Sequence, residues 1–289
     1  MKIYAVVPTY NRPELLRKNL DSLLAQTRPL DRIVLVDNAS GPETAAMLQR
    51  FGYFDNEKIE HIRLDTNTGA SGGFKTGMVR AIESGADWIW GMDDDAFPDR
   101  NALEKLLEEN IDGQYDCLWS NVDEDKIFDS NLKKVKVLIF VGYFVSKELV
   151  NKVGYPDERY YMYHDDTDYS NRILENGFSI YKVRDSIINH KGFDKRGVKP
   201  ISTYNILFTS FSVLNCEPYR MYYISRNSIF YRKKYSRKIV AIFKALFVDL
   251  PKYALVKPEL VPAIFLGISH AVIGKTGKTK LPEKYYMKL

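Results

Sequence analysis

Runs of about five apolar residues recur through the first hundred positions. Each is followed by a segment whose apolar residues fall three and four apart. Residues 3–8, Ile-Tyr-Ala-Val-Val-Pro, form the first run and read as a buried strand. Pro13 then opens a helix to about Gln26, because proline suits a first helical turn. Ile33-Val34-Leu35-Val36 is a second buried strand ending at Asp37, residues 43–51 a helix, and residues 59–64 a third strand. A glycine-rich turn over 69–73 precedes a helix to about Ser84, and Trp88 to Met92 is a fourth strand. Strands alternating with helices predict an α/β fold of βαβ units, a mostly parallel central sheet with flanking helices.

The second half is less regular. Val135 to Val145 reads as one long strand, followed by a short helix from Lys147 to Val153. A tyrosine-rich stretch, 160–163, leads into a helix stopped at Gly177. Residues 178–190 read as one or two short strands, and 191–204, which lack periodicity, as a mobile loop. From about Glu217 the chain turns basic, aromatic and helical, and no internal repeat is visible. The 289 residues suit one large α/β domain with an appendage, here 1–215 followed by a helical C-terminal region over 216–289.

Charge sharpens that division. Residues 220–289 hold 15 Lys and Arg against 3 Asp and Glu, which leaves 27 against 34 for the rest. A basic tail on an acidic body suggests an anionic partner. The tail's apolar stretches, 239–248 and 260–273, favour a membrane surface over nucleic acid, and each falls short of the ~20 residues needed to span a bilayer. Arg232, Lys233, Lys234, Arg237 and Lys238, interleaved with Tyr222, Tyr223, Phe230 and Tyr231, suit an interfacial helix on anionic lipid. Packing on the α/β body or on a second subunit, a homo-oligomer, is the alternative. Cys117 and Cys216 make neither a metal motif nor a disulfide framework, so a reducing compartment is expected. The first apolar run is too short for a signal peptide.

Ligands of parallel sheets bind beyond the carboxyl ends of the strands. Pro8-Thr9-Tyr10, Asp37-Asn38, Asn67 and Asp93-Asp94-Asp95 all fall at such ends. Three adjacent acids repel one another, and a divalent cation with hard oxygen ligands is their natural partner. Asp37 reads either as a reader of a sugar hydroxyl or base N–H, or as an Asx turn. In Asn67-Thr68-Gly69-Ala70-Ser71-Gly72-Gly73 the glycines permit close backbone approach, and the helix start that follows attracts phosphate. No Gly-Lys-Ser/Thr closes that segment, so it is not a P-loop, and a plain tight turn is the other reading. Asp165 or Asp166 can cap the helix after His164, and Asp168 can pair with Arg172 four residues on. That leaves a carboxylate at a helix start as general base. The tyrosines before it suit either a carbohydrate platform or a core. His190, at a strand end, is an extra metal ligand or a structural histidine.

Val-Pro-Thr-Tyr-Asn-Arg (7–12), Val-Asp-Asn-Ala-Ser (36–40), the Asn-x-Gly-x-x-Gly-Gly segment (67–73), the Asp93–Asp95 triplet and Tyr-x-His-Asp-Asp-Thr-Asp-Tyr (161–169) occur in order. Together they resemble family 2 glycosyltransferases of the GT-A fold, in particular the bacterial rhamnosyltransferase and galactofuranosyltransferase branch. The likeness covers roughly residues 1–195. It implies inverting, metal-dependent transfer of galactofuranose, rhamnose or a related hexose from a nucleoside-diphosphate sugar donor. The acceptor would be a glycan or a lipid-linked glycan of cell-surface polysaccharide synthesis. The resemblance assigns Thr9, Arg12, Asp37 and Asn67 to the nucleoside end of the donor, with Pro8, Gly72, Gly73 and Asp94 beside them. It assigns Asp93 and Asp95 to Mn²⁺ or Mg²⁺, His190 to the same ion, and Asp166 to the base, with Asp165 next to it. That branch often has Trp before the Asp pair, where this chain has His164. A cytoplasmic protein at the inner face of the membrane is expected. The rivals are a sugar nucleotidyltransferase, which would show a Gly-rich loop and Arg directly after the first strand, and a non-catalytic binding relative.

Overall fold

The structure is a computed structural model that describes residues 1–111, 113–122, 128–190, 201–206, 209–235 and 238–281. The chain divides into two compact units. Met1–Glu158 with Asp165–Gly192 form the first, and Arg159–His164 with Phe193–Leu289 the second.

In the first unit the expected alternation is present: β1 (Ile3–Thr9), α1 (Pro13–Leu24), β2 (Arg32–Asp37), α2 (Pro42–Arg50), β3 (Ile59–Arg63), α3 (Gly69–Glu83) and β4 (Trp88–Gly91). Then come β5 (Ala96–Pro98), α4 (Ala102–Glu108), β6 (Cys117–Val122), β7 (Leu132–Val135), β8 (Tyr143–Ser146), α5 (Lys147–Val153), α6 (Asp165–Glu175) and β9 (Ile180–His190). One nine-stranded sheet runs β3-β2-β1-β4-β8-β6-β9-β5, with β7 also paired to β9. Strands β1 to β4, β6 and β9 point one way and β5, β7 and β8 the other, so the sheet is mixed but mostly parallel. Strand order reverses at β1, with β2 on one side and β4 on the other. In open α/β sheets ligands bind at such a switch point, beyond the carboxyl ends of the strands.

Period-two alternation sorts the central strands between two cores. Ile3, Ala5, Val7, Ile33 and Leu35 pack with Leu16, Leu20 and Leu23 of α1 and with Leu103 and Leu106 of α4. Tyr4, Val6, Val34 and Val36 face the other way, onto Phe74 and Met78 of α3, Leu149 of α5 and Ile173 of α6. Truncating Leu16, Leu20 or Leu23 of α1, each 1% exposed or less, costs about 2–5 kcal/mol.

Three expectations need correction. The glycine-rich segment 69–73 is the first turn of α3 and not a turn before it. A Cβ on Gly73 would sit 2.7 Å from Cβ of Pro8, and one on Gly77 would sit 2.4 Å from Val6. The missing side chains let the helix lie directly on β1. The single strand expected over 135–145 is two, β7 and β8, separated by a bend containing Gly142 at φ +77°. The bend turns Leu138, Phe140 and Val141 into the cores, and so keeps the apolar run unbroken in sequence. Of the loop expected over 191–204, residues 191–200 lie outside the described residues, and 201–204 belong to a strand. Strand β5, helix α4 and strand β6 carried no clear pattern in the sequence.

The second unit contains a hairpin, β10 (Ile201–Ile206) with β11 (Thr209–Leu214), and helices α7 (Pro218–Tyr235), α8 (Lys238–Lys244), α9 (Leu250–Val256) and α10 (Val261–Val272). A single π-helical turn, Ala245–Asp249, joins α8 to α9. Met221, Tyr222 and Ile229 of α7 pack against Ala263, Ile264 and Ile268 of α10. Tyr161, Tyr163 and His164 have positive φ near +66°, a costly conformation for residues with side chains. Asn227 holds that segment by donating to the carbonyls of Tyr160, Met162 and Tyr163 at 2.7–3.1 Å. Tyr160 and Tyr161 are buried, so of the two readings of the tyrosine-rich run these side chains take the core one. Among the described residues no helix is long and apolar enough to cross a membrane.

Candidate active site

Backbone pairing builds the acidic centre. Strand β4 delivers Asp93, Asp94 and Asp95 at its carboxyl end, next to Thr9 at the end of β1. Ala96 pairs antiparallel with His190, which brings the imidazole from the end of β9 to the residue beside Asp95. His190 Nε2 lies 3.0 Å from Asp95 Oδ1. Asn19 of α1 anchors the turn, donating to the carbonyl of Ala96 at 2.6 Å. Thr9 donates to Asp94 at 2.6 Å, and Arg12 donates to Asp94 at 3.1 Å and to Asp95 at 2.9 Å.

One ligand atom from each of Asp93, Asp95 and His190 lies within 4.8 Å of the others. Burial, together with the charges of Asp95 and Asp94, pushes the Asp93 carboxyl up to about 8. Burial lifts Asp94 to about 6 against the pull of Arg12 and Thr9. It acts on Asp95 too, but the hydrogen bond and charge of His190 and the charge of Arg12 outweigh it and hold that carboxyl below its ordinary value. The cationic groups on the protein therefore do not neutralise the triplet. Two carboxylate oxygens and one imidazole nitrogen suit Mn²⁺ or Mg²⁺, and such an ion would replace the proton on Asp93. Among the described residues this is the group of acids and histidines close enough to hold a metal.

Asp37, at the end of β2, makes the Asx turn: its Oδ1 accepts from the Ser40 amide at 2.7 Å. Its Oδ2 accepts from Arg63 at 2.6 Å, and His61 Nε2 lies 4.0 Å away. Asn67 accepts from the Gly69 amide at 2.8 Å. Gly72 and Gly73 lie buried inside α3, where a Cβ on Gly72 would strike Thr68 and one on Gly73 would strike Pro8 and Asn38. Their role in these contacts is close packing of helix on sheet.

The second acidic group sits at the start of α6. Asp165 is buried and accepts from Ser71 of α3 at 2.9 Å. Asp166 is half-buried and accepts from the Thr167 amide at 2.6 Å. Burial and the charge of Asp166 push Asp165 up to about 7, and burial also raises Asp166 above the ordinary carboxylate range. Asp168 pairs with Arg172 at 2.9 Å, the expected four-residue ion pair. Among the described residues no hydrogen bond or ion pair joins Asp165 or Asp166 to Asp93, Asp95 or His190.

Sequence reasoning missed Asn19 and Arg63, and it named Asn38 and Ser71 only within motifs, without the contacts they make. Asn38 accepts from the amide and hydroxyl of Thr68 at 3.1 and 2.9 Å and donates to the Gly69 carbonyl at 3.0 Å, which ties the end of β2 to the start of α3. Arg63 meets Asp37 because the two residues are paired in register across β2 and β3. No local pattern announces a contact of that kind.

The chain is similar to known proteins. Galactofuranosyltransferase GlfT1 of Mycolicibacterium smegmatis is 28% identical over 205 residues, which cover 61% of this chain and 66% of that protein. dTDP-rhamnosyl transferase RfbF of Shigella flexneri is 30% identical over 269 residues, covering 85% of each. The structure of mannosyltransferase PcManGT from Pyrobaculum calidifontis, in complex with GDP-Man and Mn²⁺, superposes with a TM-score of 0.60 at 15% identity. It covers 95% of this chain and 88% of that one, a likeness of fold. The profile of glycosyl transferase family 2 matches residues 4–181, a stretch that holds every acid of both clusters, and the chain belongs to that family.

Proposed function

We propose that the chain transfers a hexose of the galactofuranose or rhamnose type, with inversion, from a nucleoside-diphosphate donor to a glycan or lipid-linked acceptor. The observation that carries this reading is the convergence of Asp93, Asp95 and His190 at the carboxyl end of β4. Those three residues would hold Mn²⁺ or Mg²⁺. When bound, the ion stabilises the negative charge that grows on the departing diphosphate. Thr9, Arg12, Asp37 and Asn67, with Pro8, Gly72, Gly73 and Asp94 around them, form the proposed donor side. Arg12 is the residue there that already bridges Asp94 and Asp95.

Asp166 is the proposed base. It takes the proton of the acceptor hydroxyl while that oxygen bonds to the anomeric carbon and the bond to diphosphate breaks. The state between is oxocarbenium-like, and a single displacement inverts the configuration. Asp166 is preferred to Asp165 because it is the more exposed of the two, whereas Asp165 is buried against Ser71. Burial raises the affinity of Asp166 for a proton, which suits a group that must accept one near neutral pH.

The C-terminal unit is the proposed membrane contact, at the inner face of the cell membrane. Phe243, Phe247, Val248, Leu255 and Phe265 are exposed in a region rich in lysine. Flotation with anionic vesicles should succeed at low salt and weaken at high salt. A salt-independent dimer with no flotation would assign the apolar surface to a second copy instead.

The direct test of transfer is a thermal-shift panel of UDP- and dTDP-sugars with Mn²⁺, followed by assay of released nucleoside diphosphate with acceptor. The true donor should raise the melting temperature most, by mass action. Full transfer in excess chelator would overturn the metal assignment. Release of pyrophosphate from a nucleoside triphosphate and a sugar 1-phosphate, with no nucleoside diphosphate released from the sugar donor, would mark a nucleotidyltransferase, and donor binding without turnover a non-catalytic relative.

A further inference from the structure

The second unit contains a cavity of about 300 Å³ that the transferase chemistry does not use. Val213 of β11, Met221 and Ile229 of α7 and Ile264 of α10 give it an apolar floor, each 2% exposed or less. Its polar wall has Arg232, Lys244, Asp249 and Lys252. Lys244 is neutralised by Asp249, with both carboxylate oxygens at 2.7 Å. Arg232 and Lys252 take part in no ion pair among the described residues, although Lys252 lies over the ring of Phe211. The wall thus carries two uncompensated positive charges above a hydrocarbon-lined floor. His164 also lines the cavity, and burial beside Arg232 pushes its imidazole down to about 4, so it is a neutral wall group at physiological pH.

The segment that forms one wall has a second property. Lys244, Ala245 and Asp249 line the cavity, while their neighbours Phe243, Phe247 and Val248 are 58%, 64% and 52% exposed. This is the π-helical turn, a geometry that often marks functional positions. One short stretch therefore shows apolar side chains to solvent and charged ones to the cavity.

We infer that this cavity receives the phosphate-bearing end of a single lipid chain, with the phosphate on Arg232 and Lys252 and the first carbons on the apolar floor. A methylene occupies about the volume of a water molecule, so the cavity holds about ten carbons. The exposed phenylalanines let such a chain pass from a bilayer surface without crossing water. Identifying the lipid as the carrier of the acceptor rests on the transferase reading above, but the binding site does not.

The test uses the full chain and dodecyl phosphate below its micelle concentration, titrated by calorimetry, with dodecanol and inorganic phosphate as comparison probes. Saturable one-to-one binding of dodecyl phosphate is expected, with dodecanol and inorganic phosphate each weaker by about tenfold or more. Ser228→Phe, which fills the cavity from α7, should abolish binding. The surface double variant Arg232→Ala, Lys252→Ala should weaken dodecyl phosphate about tenfold and leave dodecanol unchanged. Absence of saturable binding, equal affinity for dodecanol, equal affinity for inorganic phosphate, or full binding by both variants would each overturn the inference. Donor-induced thermal shifts with Mn²⁺, measured on the same variants, report on the transferase reading separately and should stay at the wild-type value.

Discussion

Residues 93–95 and 165–168 each hold three aspartates, and the fold gives the two groups opposite surroundings. Thr9, Arg12 and His190 hold the first group from three different strand ends or loops, and even so Asp93 is left with a proton to replace. In the second, Arg172 serves Asp168, while Asp165 and Asp166 accept from a serine hydroxyl, from Thr167 and from backbone amides at the start of α6. Carboxylates gathered around positive groups suit a metal and a phosphate. Carboxylates buried with neutral donors suit the holding and moving of a proton. The difference lies in what tertiary structure puts opposite the acids.

Removing an acid from the first group should have the largest effect. Asp95→Ala deletes a proposed metal ligand and a partner of both His190 and Arg12. Transfer should fall by ~10³-fold or more, and added Mn²⁺ should no longer enhance donor binding. A variant with wild-type turnover would erase the distinction between the groups.

Asp168→Ala should act on stability and not on chemistry. Asp168 is fully buried, and Arg172 also donates to the carbonyls of Val153 and Tyr155. Stranding that guanidinium should cost about 3 kcal/mol in denaturant melts. The Mn²⁺ dependence of whatever activity the folded fraction keeps should be unaltered.

Asp166→Asn should lower turnover by ~10²-fold while donor still binds with Mn²⁺. Asp165→Asn should do less. If the order is reversed, the base moves one residue toward the N-terminus.

The smallest expected effect is a slope. Asp165 takes up a proton near pH 7 when folded and near ~4 when unfolded. Between those values the folded chain binds more protons, so this group's stabilising contribution is complete below about pH 4 and is lost as pH rises to 7. Melting temperature measured in chelator from pH 4.5 to 8 should decline less steeply for Asp165→Asn than for the parent. Identical slopes would place the raised proton affinity elsewhere.

Much of the first unit was legible in sequence because its signals are local. An apolar run of strand length, Pro13 at a helix start and Gly177 at a helix end each report on a few neighbouring residues. The family resemblance supplied Asp93, Asp95, His190 and Asp166 as candidates, and the first three of these meet in the structure. The bend between β7 and β8 stayed hidden because Leu138, Phe140 and Val141 are as buried as a strand would make them. The contacts of Asn38, Ser71 and Arg63 stayed hidden because their partners lie 26 to 94 residues away.

The sequence alone determined the alternating elements from β1 to β4, the apolar runs they bury, and that acids gather where strands end. Those properties follow from backbone periodicity and from the cost of leaving apolar surface in water. Only the tertiary structure decided which acids lie beside His190 and Arg12 and which are buried with Ser71 and Thr167. That depends on desolvation and on charges a few ångströms away, and the pairing of Ala96 with His190, or of Asp37 with Arg63, comes into being only when the sheet is assembled.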